Sequence, residues 1–74
     1  MLPLTLVQQG ETVVVVQVGG NDAAKQHLAD LGFVTGSEVN VVSSHNGDLI
    51  VNMKGTKLAM TREMAQKIKV THKL

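Results

Sequence analysis

Few side chains in this 74-residue sequence are suited to chemistry, and their spacing limits what they could do. There is no cysteine, which removes thiolate nucleophiles, thiolate metal sites and disulfides together. The imidazoles are His27, His45 and His72, with no H-x-H or H-x-x-x-H spacing among them. A tight transition-metal site wants three or four converging nitrogen, oxygen or sulfur ligands. His45 and Asp48 flank one turn and could share a loosely held ion, but a turn histidine with no ligand role is the simpler reading. Met60 and Met64 fall at i and i+4, with Met53 nearby in sequence. Thioethers suit copper(I) rather than iron(II), and gap-filling in a core explains them better. No Ser/His/Asp set and no clearly partnered carboxylate pair occurs. No catalytic residue, metal ligand or cofactor is therefore assigned, and an enzyme is the weakest reading.

Two further features invite phosphate chemistry. Gly19-Gly20-Asn21-Asp22-Ala23-Ala24-Lys25 lies between an apolar run and a helical pattern, the context of a phosphate-binding loop. The pattern fails where Ala24 replaces the needed glycine and Gln26 the needed Ser or Thr. Asp22 would also repel an anion, so a plain strand-to-helix turn is expected. Arg62, the sole arginine, could serve a partner GTPase as a finger on the transferring phosphoryl group. A solvated surface arginine is the simpler reading.

These residues must be positioned by a small, aliphatic chain. One domain is expected over residues 1–74, with its core in 4–70 and a tail at 71–74. A chain this short buries only about 60% of its unfolded surface. Phe33 is the only aromatic, while the plentiful valines favour strands. The net charge is +1 and the lysines are dispersed, with at most a weak patch at Lys67, Lys69 and Lys73. Nucleic-acid binding needs several clustered cations and stacking aromatics, so it is disfavoured. Residues 1–7 are apolar but lack a basic start and a cleavage site, so no signal peptide is read there. No apolar run approaches the roughly 20 residues of a membrane helix. A soluble, cytoplasmic protein is expected.

Along the chain, Thr5 reads as the cap of one helical turn ended by Gly10. A strand is expected over 11–18; its unbroken valines, 13–16, suggest that both faces are partly covered. Asn21 or Asp22 caps a helix from Ala23 to about Leu31, with Ala24, Leu28 and Leu31 as its apolar stripe. Gly32 ends it in a left-handed conformation, and Phe33 folds back to plug the core. Strands follow at 38–43 and 49–53, joined by the Asn46-Gly47 hairpin turn. Lys54-Gly55-Thr56 turns into a strand at 57–60. Thr61 caps a short turn that sends Met64 or Ala65 inward, and a last strand spans 68–71. The tail, His72-Lys73-Leu74, is expected to fray. The fold class is all-β with one short helix: a small barrel of about five antiparallel strands, the helix lying between the first two.

The ordered set of a glycine-bounded first strand, Leu28-Ala29-Asp30-Leu31-Gly32, Gly36-Ser37-Glu38-Val39, and the run from Leu58 to Val70 resembles the FeoA family of ferrous-iron transport accessory proteins. The likeness covers roughly Leu4 to Val70. Thr35 stands where many members carry proline, and Gln26 and His27 where many carry arginine. The resemblance implies an SH3-like barrel. It also implies a small cytoplasmic protein acting with FeoB, a membrane transporter bearing a cytoplasmic G-protein domain. A non-enzymatic interaction module follows, with His27, Leu31, Gly32, Phe33 and Arg62 as expected contact residues. It is not expected to insert into the membrane itself. An SH3-like nucleic-acid or ribosome-associated module, and a self-associating barrel pairing through valine-rich edges, are the alternatives.

Overall fold

The structure is a computed structural model that describes residues 1–73. Six antiparallel strands form one sheet: β1 (Leu2–Pro3), β2 (Thr12–Val18), β3 (Glu38–His45), β4 (Asp48–Met53), β5 (Thr56–Met60) and β6 (Ile68–His72). They lie in the order β1-β6-β2-β3-β4-β5. Helix α1 (Asp22–Asp30) connects β2 to β3, and the one-turn α2 (Arg62–Ala65) connects β5 to β6. The sheet is curled but its two end strands do not pair with each other, so it is not closed by hydrogen bonds. The expected class holds, with one strand more than expected. β1 escapes notice because it is two residues long and contains Pro3.

The core follows from strand periodicity and register. Successive side chains in a strand face opposite ways, and residues directly opposite across a ladder share a face. Val13 faces Val39, Val15 faces Val70, Val41 faces Val51 and Leu49 faces Met60, and all eight are buried. Two register shifts bend the sheet, one between Val15 and Gln17 and one between Val41 and Ser43. A bulge adds twist and turns the local side chain away. At the first, Val16 is exposed, while Val14 is half-buried. The second face of β2 is thus covered at one valine only.

Two local expectations are corrected. Thr5 caps nothing: Leu4–Leu6 is a 3-10 turn whose preceding residue is Pro3, with no side-chain cap. His72 and Lys73 do not fray as expected. His72 ends β6 and lies 2.8 Å from Glu11, Lys73 lies 2.6 Å from Glu38, and the Lys73 amide donates to the Thr12 carbonyl at 3.4 Å. Leu74 lies outside the described residues. Both ion pairs are largely exposed and contribute little alone. Backbone pairing with β2 is what holds the strand.

Candidate site at the end of helix α1

Helix α1 is fixed at both ends by its own sequence. Asn21 accepts a hydrogen bond from the Ala24 amide at 2.8 Å, satisfying one free donor of the first turn. At the other end Gly32 takes φ +107°, a conformation that L side chains rarely adopt. Its amide donates to the Ala29 carbonyl at 2.9 Å, and the Phe33 amide donates to the Leu28 carbonyl at 3.0 Å. This pair of bonds is the Schellman arrangement, which ties up carbonyls the helix leaves free. It also directs the chain back under the helix, so that Phe33 joins Leu28 in the core.

The segment leaving the helix is equally constrained. The Ser37 amide donates to the Val34 carbonyl at 3.0 Å, and Gly36 has φ +94°. Thr35 is not at positive φ, so Val34 to Ser37 form a type II turn with glycine where that turn requires it. Thr35 fills the second position, where proline is favoured but not needed. The Ser37 hydroxyl donates to the Gly32 carbonyl at 3.0 Å, and the turn is bonded to Val15 on both sides.

Between this fixed helix end and the β4–β5 hairpin lies a groove of about 350 Å³. Leu31, Gly32, Met53 and Leu58 line it, with Asp30, Glu38 and Lys54 among its polar residues. Leu31 and Leu58 are half-buried, and Met53 is 8% exposed. The groove lies where the end of α1 approaches Met53 and Leu58 of the β4–β5 hairpin. Apolar side chains there belong to the core on one side and to solvent on the other. Covering their exposed parts would contribute about 25 cal/mol per Å² of apolar surface.

The expected contact residues separate in space. Leu31 and Gly32 line the groove. Phe33, at 1% exposure, belongs to the core instead, and its ring offers no surface to a partner. His27 is exposed on α1 and does not line the groove. Arg62 lines a different depression, with Asn46, Asp48 and Glu63. Its amide donates to Asp48 Oδ1 at 2.9 Å, and its side chain packs over Gly47. Sequence reasoning missed Met53, Lys54 and Leu58. The period-2 pattern of β5 puts Leu58 on the core face, but only the sheet order shows that this strand is at an edge.

The other chemical candidates settle into structural places. His45 lies 3.4 Å from Asn46 Nδ2, and the nearby Asp48 is engaged by the Arg62 amide. Among the described residues no three His, Cys, Asp or Glu side chains gather as a metal set would. Met53 and Met60 are core residues, and Met64 packs half-buried against the core. The Gly19-Gly20 turn is closed by the Gly19 amide on the Lys67 carbonyl at 2.6 Å. No helix among the described residues is long and apolar enough to cross a membrane.

Comparison with known proteins agrees with this architecture. The FeoA domain model matches residues 2–72. An Fe(2+) transport protein A of Methanocaldococcus jannaschii is 36% identical over 70 residues, covering 95% of this chain and 85% of that protein. The crystal structure of Stenotrophomonas maltophilia FeoA with zinc, described as a prokaryotic SH3 domain protein, superposes with a TM-score of 0.82 at 28% identity, covering 96% of this chain and 91% of that one. The solution structure of Chlorobium tepidum FeoA gives a TM-score of 0.84 at 29% identity, with coverage of 96% and 70%. An antiparallel, curled sheet with one helix after its first long strand, matched along nearly its whole length, places this chain in the FeoA domain family of ferrous-iron transport proteins.

Proposed function

We propose that this chain is a non-enzymatic accessory protein of ferrous-iron uptake, a single cytoplasmic domain that docks on the G-protein-bearing part of a FeoB-type transporter. The observation that carries the reading is the groove at the end of α1. Its walls are held by the Gly32 terminus and the type II turn, so little ordering is lost when a partner fills it. Half-buried Leu31 and Leu58 supply apolar area, while Asp30 and Lys54 give it a polar margin. Such an arrangement suits macromolecular contact better than catalysis, since the Ser37 hydroxyl on its wall is tied to the Gly32 carbonyl and no histidine lines the groove to serve as its base.

The test is capture of the transporter from membranes by the tagged full chain, read beside iron(II) uptake in iron-poor medium. Leu31→Glu places a charge in the groove and should abolish capture and lower uptake to the level of the deletion strain. Arg62→Ala, at a residue that lines a separate depression and not the groove, should leave both capture and transporter GTP turnover unchanged. Uptake that is the same with and without the chain would overturn the reading.

A further inference from the structure

The sheet has two open edges, and they are unequal. β1 is two residues long and includes Pro3, which has no N–H to offer. β5 is five residues long and pairs with β4 on one side only. The hairpin turn between β4 and β5 has positive φ at both central residues, 52° at Lys54 and 83° at Gly55. This is type I′ geometry, whose flanking pair, Met53 and Thr56, exchanges hydrogen bonds. Bonded and non-bonded pairs then alternate along the ladder. Thr56, Leu58 and Met60 turn their backbone groups toward β4. Lys57 and Ala59 turn theirs outward, and both residues are exposed.

Each face of the sheet carries a depression beside this edge. On the core face it is the groove of Leu31, Met53 and Leu58. On the outer face Ser43, Ile50 and Ala59 line one of about 370 Å³, where Ile50 is 41% exposed. Ser43 lies opposite Ile50, and Ile50 opposite Ala59, so these three form a row that runs to the edge. A strand added beside β5 sends alternate side chains to the two faces, one set to each depression. Lys54 and Lys57 stand exposed at the turn end, and neither is in an ion pair among the described residues.

We propose that the β5 edge docks an extended strand of a partner protein, apolar at its centre and acidic where it passes Lys54 and Lys57. The proposal rests on the docking reading above and names the form of the segment docked. A second copy of this chain fits less well. A two-fold pair of β5 strands centred on Lys57 or Leu58 sets the two Lys57 side chains directly opposite or diagonal on one face, where like charges repel. Edge lysines blunt pairing between identical edges. The same lysines favour an acidic strand.

The probe is a capped heptapeptide, Glu-Val-Leu-Val-Leu-Val-Glu, titrated into the isotope-labelled full chain and followed by amide chemical shifts. Saturable shifts should centre on Lys57 and Ala59. Methylating one alternate set of peptide amides should weaken binding about tenfold or more, and methylating the other set should not. Ala59→Pro removes an outward N–H while sparing the ladder to β4, and should cause a similar loss. Lys57→Glu leaves the backbone intact and should weaken binding about threefold. Equal binding of the two methylated peptides, shifts centred away from β5, or no saturation would overturn the proposal. A dimer in sedimentation that Ala59→Pro dissolves would also overturn it, assigning the edge to a second copy. Transporter capture separates the two readings. Capture retained by Ala59→Pro but lost in Leu31→Glu refutes the edge alone, and capture retained by both refutes the docking groove.

Discussion

Phe33→Ala should damage folding rather than recognition, and the two effects can be told apart. The ring is 1% exposed and sits with Leu28 in the core beneath the Gly32 terminus. Truncating a buried phenylalanine costs about 3–5 kcal/mol, from lost transfer energy and the cavity left behind. A 74-residue chain has a total stability of about 4–11 kcal/mol. The substitution therefore removes between about a quarter and all of it. With about 4–8 °C of melting temperature per kcal/mol in a domain of this size, the midpoint should fall by at least about 12 °C. The chain has no Trp or Tyr, so urea titration followed by far-ultraviolet circular dichroism is the appropriate assay. Leu31→Ala is the comparison. Leu31 is half-buried, so its loss should cost only about 1 kcal/mol while weakening partner capture. A Phe33→Ala chain within about 1 kcal/mol of the parent, yet unable to hold its partner, would refute the placement of Phe33 in the core.

Lys54→Asn should raise stability by about 0.5–1 kcal/mol, because Lys54 occupies a left-handed conformation at φ 52° that asparagine tolerates better. Asn46 holds the same place, at φ 53°, in the β3–β4 hairpin. Reduced stability in the same urea titration would show that the lysine is not strained there. Asn52→Val should raise stability by about 1 kcal/mol, since Asn52 Oδ1 is buried without a hydrogen-bond partner and valine suits a strand. A loss of that size would show that the amide is satisfied in solution.

What could be read from the sequence was local. Asn46-Gly47 announces its turn because few residue pairs accept two positive φ values in succession. Asn21 and Gly32 mark the ends of α1 because their side chain, or its absence, meets the backbone within a few residues. The inward valines of β3, and Leu49, Val51 and Met53 of β4, follow from alternation. Long-range pairing was not legible in this way. β1 is too short to show a period, and its partner, β6, lies at the far end of the sequence. Neither bulge has a glycine or proline to announce it. His72 and Lys73 read as a loose polar end, because Glu11 and Glu38, their partners, are distant in sequence. Phe33 beside Gly32 marks the helix end, and the same burial that places it in the core makes it a poor contact residue. The groove needed Leu31 and Leu58 to meet across 27 positions, and no short pattern encodes that.

The nine-residue α1 ends beside the hairpin that carries the edge strand β5, and the groove lies between them. Met53 and Leu58 complete the packing from within and present their outer atoms to whatever covers the hairpin. Recognition and stability therefore draw on the same side chains. A partner that binds only the folded chain stabilises it by mass action, about 2.7 kcal/mol at a free concentration one hundred times Kd. Against a total of about 4–11 kcal/mol, that is a large share. Groove substitutions such as Leu58→Ala should then narrow the difference in melting temperature between free and bound chain as well as lowering both. A substitution in the core away from the groove, such as Val13→Ala, should lower both and leave that difference in stability unchanged, because Val13 is buried against Val39 and is absent from the groove's lining.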